Sequence, residues 1–348
     1  MKTVVVMDSF KGSLTSKEAG EAVKTGILKA DGSADVRVFP FADGGEGTLD
    51  AFLAADNGKG RITIQVSDPL GRDVEASYGV LGDDTVVIEI AQAAGLCLLI
   101  EDERDTFAAT TKGVGQLIRH AVEHGYRKFI IALGGSATND CGIGMLQELG
   151  FEILDDKDEP VGYGAKGMSM AGSIRCDKTI SELEDCEFTV ACDVTNPLCG
   201  PNGASIVFSP QKGAGALQAE EMDVWMEHYA DIVKKAIPEA DPKAEGAGAA
   251  GGLGFAFMTF LKGKMRPGAQ VLLERSGIEE AIASADLVVT GEGRIDAQTS
   301  MGKAPARIAA IAKKYHKPVI AIAGSVTDDA DKCHEAGDRK STRLNSSH

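Results

Sequence analysis

Aromatic side chains are scarce, at 5% of 348 residues with a single tryptophan. The core must therefore be built from alanine, valine, isoleucine and leucine. Basic charge is in deficit, with 36 Lys and Arg against 52 Asp and Glu and a net charge of −16. That balance argues against a nucleic-acid surface or an anionic membrane surface. It leaves room for a local positive pocket and a small anionic substrate. No apolar run approaches the ~20 residues of a membrane span. The run Val4-Val5-Val6-Met7 is too short for a signal segment and meets Asp8 at once, so a cytoplasmic protein without a membrane partner is expected. The seven cysteines are odd in number and scattered, with no Cys-x-x-Cys pair, which excludes a disulfide framework. Cys192 and Cys199 have no second pair or nearby histidine to complete a metal site, and read as small buried residues.

Two nucleotide signatures are also missing. A Walker A loop ending at Gly302-Lys303 would need glycine where Ala297 stands. A Gly-x-Gly-x-x-Gly string does occur at Gly246, Gly248 and Gly251, but the polar Asp241-Pro242-Lys243-Ala244-Glu245 precedes it instead of a strand. A dinucleotide fingerprint requires that strand, so an NAD site is rejected. The glycines still precede an apolar helix at 253–261, whose N-terminus is a usable anion site. The six histidines form no triad, and His120 and His124 lack a glutamate-containing metal motif.

What the chain has in quantity is glycine, 42 residues, gathered mostly after apolar runs. Hydrophobic residues at 43% support a full core, and the length favours two domains. Two acid-and-glycine segments stand out: Asp43-Gly44-Gly45-Glu46-Gly47-Thr48 and Gly291-Glu292-Gly293-Arg294-Ile295-Asp296. Each follows a run that reads as a buried strand, and each reads as a loop where the backbone turns sharply. In an open α/β sheet, ligands bind beyond the carboxyl ends of the strands. A carboxylate there suits a hydrated metal ion or a substrate hydroxyl.

The first strand, 4–7, leads through Asp8-Ser9-Phe10-Lys11-Gly12 to a helix near Lys17, capped by Thr15 or Ser16. Lys11 and Ser9 are placed to meet a phosphate, or else to form a plain strand-to-helix cap. Period-two alternation at 61–66, with further strands at 75–80 and 85–90, predicts an antiparallel meander. Alternation of helix and strand resumes near Thr110. The strand 129–133 runs into Gly134-Gly135-Ser136-Ala137-Thr138-Asn139-Asp140, a turn rich in backbone N–H groups and hydroxyls that can form an anion nest. Strands are expected at 187–190 and 204–208, flanking Asp193-Val194-Thr195-Asn196-Pro197. Asp193 is either a base for a substrate hydroxyl or an Asx-turn before proline. Glu292, Asp296, Gln298 and Lys303 surround the last glycine segment. Carboxylates there can hold Mg²⁺ bridging nucleotide phosphates, and a lysine can steady transferred charge.

The expected fold is α/β in two domains. A flavodoxin- or Rossmann-like parallel sheet at 1–60, 94–145 and 285–337 is interrupted by a mixed α/β insert at 61–93 and 146–284. Residues 338–348 are polar and aperiodic and read as a non-native appendage, read through from a vector or sequencing adapter.

Taken together, these strings resemble the bacterial type I glycerate kinases. The resemblance rests on 8–14, 42–48, 134–140, 191–198, 210–214, 248–252 and 291–303, in order from residue 1 to about 337. It implies ATP-dependent, Mg²⁺-dependent phosphorylation of D-glycerate, usually at the 2-position, by a monomer or homodimer. It implies catalytic roles for Asp193, Lys11 and Asp43. Nucleotide contacts would come from Ser9, Gly134, Gly135, Ser136, Asn139, Gly291, Glu292, Gln298 and Lys303, and metal ligands would be Asp296 and Glu292. Members of that family usually continue with another strand and helix, so a sheet short of its edge strand is expected. A kinase of another hydroxy acid, or a non-catalytic binder of small acids or nucleotides, are the alternatives.

Overall fold

The computed structural model of the chain describes residues 1–10, 12–56, 58–295 and 303–327, together with the backbone of 341–343. The chain forms two compact units. One is drawn from Met1–Asp43, Gly47–Asn57 and Gly268–His348, the other from Gly44–Glu46 and Gly58–Pro267. It passes between them at four points, and a glycine begins the new unit each time.

The first unit holds an all-parallel sheet of β1 (Lys2–Met7), β2 (Asp35–Pro40), β11 (Leu287–Ile295), β12 (Val319–Val326) and β13 (Ser341–Arg343), in the order β13-β12-β11-β1-β2. Its inner strand β1, between β11 and β2, is buried at every residue but the first, as a continuous apolar run flanked on both sides requires. The connecting helix Ser16–Ala30 starts on a capping box. Thr15 Oγ1 accepts from the Glu18 N–H at 3.2 Å, and the Thr15 N–H donates to the Glu18 carboxylate at 2.9 Å. Such a cap stabilises a helix by about 1 kcal/mol. A Cβ on Gly20 would fall 2.4 Å from Val38 Cγ1, so this helix lies closer to β2 than any larger residue allows.

The second unit holds a six-stranded sheet of β3 (Gly60–Ser67), β4 (Asp73–Val80), β5 (Thr85–Glu89), β6 (Lys128–Ala132), β9 (Glu187–Ala191) and β10 (Lys264–Arg266), in the order β10-β9-β6-β5-β4-β3. The pairs β3/β4 and β4/β5 are antiparallel, and β5/β6, β6/β9 and β9/β10 are parallel. A small antiparallel pair, β7 (Glu152–Leu154) with β8 (Ser173–Arg175), stands apart. Alternating burial along β3 fits its place at the edge, with one face solvated. In the core, Phe129 of β6 stacks on Phe188 of β9 at 4.9 Å between ring centroids.

Four features depart from the sequence expectation. The sequence pattern places residues 94–145 with the first sheet, yet β6 pairs with β5 and β9. The helix Lys112–Glu123 is the crossover that sets β6 parallel beside β5, because parallel neighbours need such a connection. Residues 268–284, grouped with the insert, form the helices Gly268–Ser276 and Ile278–Ser284 of the first unit. The predicted strand at 204–208 is the helix Ala204–Phe208, opening after Gly203. A five-residue apolar run fits either structure, and tertiary packing decides. Finally, β11 continues to Ile295, so Gly291, Glu292 and Gly293 lie within a strand and not in a loop. In addition, the sheet is not short of an edge strand as expected: Ser341–Arg343, within the segment read as an appendage, pairs parallel to β12 at its edge.

Candidate functional site

The carboxyl edge of the first unit's sheet gathers several predicted residues. Asp8 and Ser9 follow β1, and the Asp8 N–H donates to the Gly291 carbonyl at 2.9 Å. The Ser9 N–H turns back onto the Asp8 carboxylate at 2.6 Å. Asp43 lies three residues past β2 and is exposed. Glu292, in β11 opposite Ala323 of β12, is only 6% exposed. Lys303, the residue that opens the helix Ala304–Lys314, sets its Nζ 3.8 Å from Glu292 Oε2. Gly291 is needed here for space: a Cβ would fall 2.1 Å from the Ile322 carbonyl oxygen and 2.7 Å from Met7 Cε. The result is a shielded carboxylate beside an ammonium group, at the edge where α/β sheets take ligands.

A second edge is built in the other unit, where β5, β6, β9 and β10 run parallel. The turn 134–140 follows β6, and its start is fixed by the Gly134 N–H donating to the Gly44 carbonyl at 2.9 Å. A Cβ on Gly134 would fall 2.3 Å from Gly45 Cα, so the glycine permits this backbone-to-backbone approach. The turn's interior is polar and fully buried. Asp140 accepts from the Thr111 N–H and Oγ1, both at 2.9 Å, and from the Gly142 and Gly144 N–H groups at 3.1 and 3.3 Å. Burial nonetheless raises its carboxyl above the usual range, because desolvation outweighs those donors.

Under this turn lies Lys212, 2% exposed. Its Nζ donates to Ser136 Oγ at 2.8 Å and to the Thr138 carbonyl at 2.6 Å. Burial drives its pKa from the ordinary 10.5 down to about 7, while Asp140 pulls the other way. A lysine so enclosed is rare unless paired. Nearby, Thr138 Oγ1, Asn139 Oδ1 and Ser209 Oγ are buried with no hydrogen-bond partner among the described residues. The polar lining is therefore not closed upon itself.

Asn139 is also fully buried. Its Nδ2 donates to Ser205 Oγ at 2.9 Å and contacts Met222 Sδ at 3.3 Å. The side chain braces the turn from within through its Nδ2. Asp193 is exposed, two residues beyond the end of β9. The glycine string at 246–252 serves close packing. A Cβ on Gly248 would fall 2.2 Å from the Pro197 carbonyl, and one on Gly251 2.1 Å from the Thr138 carbonyl. Ala250, Gly251 and Gly252 are left-handed, so the regular helix starts only after them, against the backbone of the turn.

The structure thus groups Ser9, Asp43, Gly291, Glu292 and Lys303 on one edge of the first unit. It groups Gly134, Gly135, Ser136, Asn139 and Asp193 with the carboxyl edge of the second. Lys11, Asp296 and Gln298 lie outside the described residues. Among the described residues, no three His, Cys, Asp or Glu side chains cluster as a metal site, and no helix is long and apolar enough to cross a membrane. A nucleotide-borne Mg²⁺ commonly takes only one or two protein carboxylates besides phosphate oxygens. The hard oxygen donor of Glu292 fits that requirement. Sequence reasoning missed Lys212. The string Pro210-Gln211-Lys212-Gly213-Ala214 marks its neighbourhood, but only tertiary burial separates this lysine from a solvated one.

The model of the glycerate kinase family matches residues 3–347. A glycerate 2-kinase of Escherichia coli K12 is 45% identical over 338 residues, spanning 97% of this chain and 88% of that protein. A glycerate kinase of Bacillus subtilis 168 is likewise 45% identical over 339 residues, with the same shares. A crystal structure described as a candidate glycerate kinase 2 from Salmonella typhimurium LT2 superposes with a TM-score of 0.84 at 40% identity, covering 97% of this chain and 94% of that one.

Proposed function

The chain belongs to the glycerate kinase family, and from that premise we propose how it phosphorylates glycerate at the expense of ATP. The observation that carries the reading is the set Ser9, Asp43, Glu292 and Lys303 on the carboxyl edge of a parallel sheet. Phosphoryl transfer leaves the protein little covalent chemistry. It needs the reacting oxygens held in line and the spreading negative charge neutralised. Lys303, and Lys11 outside the described residues, supply positive charge to the phosphates. Ser9 donates to them. In the other unit, the turn that Gly134 and Gly135 open beside Ser136 offers an anion site of its own. Asn139 holds that turn from inside through Ser205.

Mg²⁺, when bound with the nucleotide, neutralises the transferring phosphoryl group, and Glu292 with Asp296 are the residues assigned to hold it. Gln298, from the same stretch of sequence, is assigned to the nucleotide. Asp43 orients a glycerate hydroxyl. Asp193 accepts the proton from the hydroxyl that attacks the γ-phosphorus, as the new oxygen–phosphorus bond forms and ADP leaves with the broken one. The 2-hydroxyl is the assigned acceptor, giving 2-phosphoglycerate. A cytoplasmic location is assigned, in keeping with six free cysteines among the described residues.

Incubating the protein with Mg-ATP and D-glycerate and reading the product by phosphorus and carbon NMR tests all of this. A doublet coupled to C2 is expected. Coupling to C3 would move the acceptor to the other hydroxyl, and intact ATP after long incubation would sink the kinase reading. An Asp193→Asn variant with wild-type turnover would remove Asp193 as base.

A further inference from the structure

The turn 134–140 is held from behind by a single cation, and no part of the reaction as described above uses it. Lys212 stands in a short segment, Pro210–Lys212, that ends at the left-handed Gly213. From there its side chain passes inward until Nζ meets two oxygens of the turn, Ser136 Oγ and the Thr138 carbonyl. Both partners are neutral. The nearest named carboxylate, Asp140, is already held by four donors from Thr111, Gly142 and Gly144. An ammonium group buried without a carboxylate of its own is costly. Packing alone would be served as well by methionine or leucine, so the charge needs another reason.

That reason is the kind of ligand the turn takes. We propose that Lys212 is a positioning residue for the substrate anion held at 134–140. By tying Ser136 and the Thr138 carbonyl it fixes the turn, and it sets positive charge behind its backbone. The anion is a phosphate of the nucleotide or the carboxylate of glycerate, which share the chemistry the turn recognises. The depressed pKa of Lys212 accords with this: an arriving anion compensates a cation that the apo protein holds poorly. The inference rests on the kinase reading only for the identity of the anion.

Three variants test it: Lys212→Met, which keeps the volume and removes the charge; Lys212→Gln, which keeps one donor; and Lys212→Arg, which keeps the charge. KM and kcat are measured separately for Mg-ATP and for D-glycerate on folded protein, with thermal melts alongside. Titration calorimetry with inorganic tripolyphosphate and with D-glycerate reads the anion site without turnover. The methionine and glutamine variants are expected to melt within a few degrees of wild type. Their KM, and the matching calorimetric affinity, weaken at least tenfold for one substrate, with most of the affinity recovered in the arginine variant. A shift for ATP and tripolyphosphate assigns the turn to phosphate, and a shift for glycerate assigns it to the carboxylate. Variants that melt much lower yet bind both substrates like wild type, once folded, would overturn the proposal and leave Lys212 a structural strut. Should wild type bind tripolyphosphate but consume no ATP, the kinase reading fails and the calorimetric comparison still decides the role of Lys212.

Discussion

Two segments of this chain look alike on paper and are built on opposite principles. In the first, 43–48, Gly44 and Gly47 take left-handed backbone angles, with φ of 99° and 87°. They make a true turn that opens the helix Thr48–Ala55. In the second, β11 runs straight on through Gly291 and Gly293 to Ile295. There glycine is chosen for absent bulk, since the Ile322 carbonyl occupies the place of its Cβ. The acids differ in the same way. Glu46 is exposed, whereas Glu292 is buried beside Lys303. A glycine next to an acid therefore carries two distinct meanings, freedom of angle or freedom of approach, and only the neighbours tell which.

The contrast repeats in the lysines. Lys303 faces a carboxylate with 39% of its side chain exposed. Lys212 faces a hydroxyl and a carbonyl in full burial. The first keeps a partner of opposite charge and solvent, and the second has neither.

The sharpest break of the comparison is Gly291→Ala. Its Cβ would meet main chain in the centre of a parallel sheet, where neither strand can yield, so a loss on the order of 3 kcal/mol or more is expected by urea unfolding. A small shift would mean that β11 and β12 are not so tightly apposed. Next, Glu292→Gln should lower kcat about a hundredfold with little change in melting, while Glu46→Gln stays within about threefold. Equal losses in a coupled assay would erase the distinction between the two acids. Gly47→Ala has open space but a disfavoured angle. Its cost is therefore backbone strain alone, about 1–2 kcal/mol in the same unfolding experiment.

The last test concerns the second pair, the lysines. The folded protein releases the Lys212 proton near pH 7 and the unfolded chain near 10.5. Between these values the unfolded state binds the extra proton. This group therefore makes stability rise with pH across that window, by up to about 1.4 kcal/mol per pH unit, and contributes no slope below it. Subtracting the Lys212→Met curve from that of wild type isolates the term. A flat difference between pH 7.5 and 9 would show that the lysine keeps its proton.

Much of the architecture was legible because it obeys periodicity. The all-buried β1, the alternating β3 and the Thr15 capping box follow from local sequence. The placement of Ser9 and Asp43 past the ends of β1 and β2 followed from where glycine and acid succeed an apolar run, whereas Glu292, read as a loop residue, lies inside β11. What escaped depends on distant partners. Nothing local joins β6 to the meander, and pairing with β5 through a helical crossover decides it. Helix at 204–208 is favoured by packing that places Ser205 under Asn139. Lys212 was hidden for the same reason, since its two partners stand 74 and 76 residues away.

The four glycine crossings also bear on how such a protein can change. Neither unit is one continuous stretch of polypeptide, so a single recombination joint cannot swap one for a foreign counterpart. Nor does one protease cut release either intact. An exchange of modules needs joints at several crossings at once, whereas substitution in place needs none.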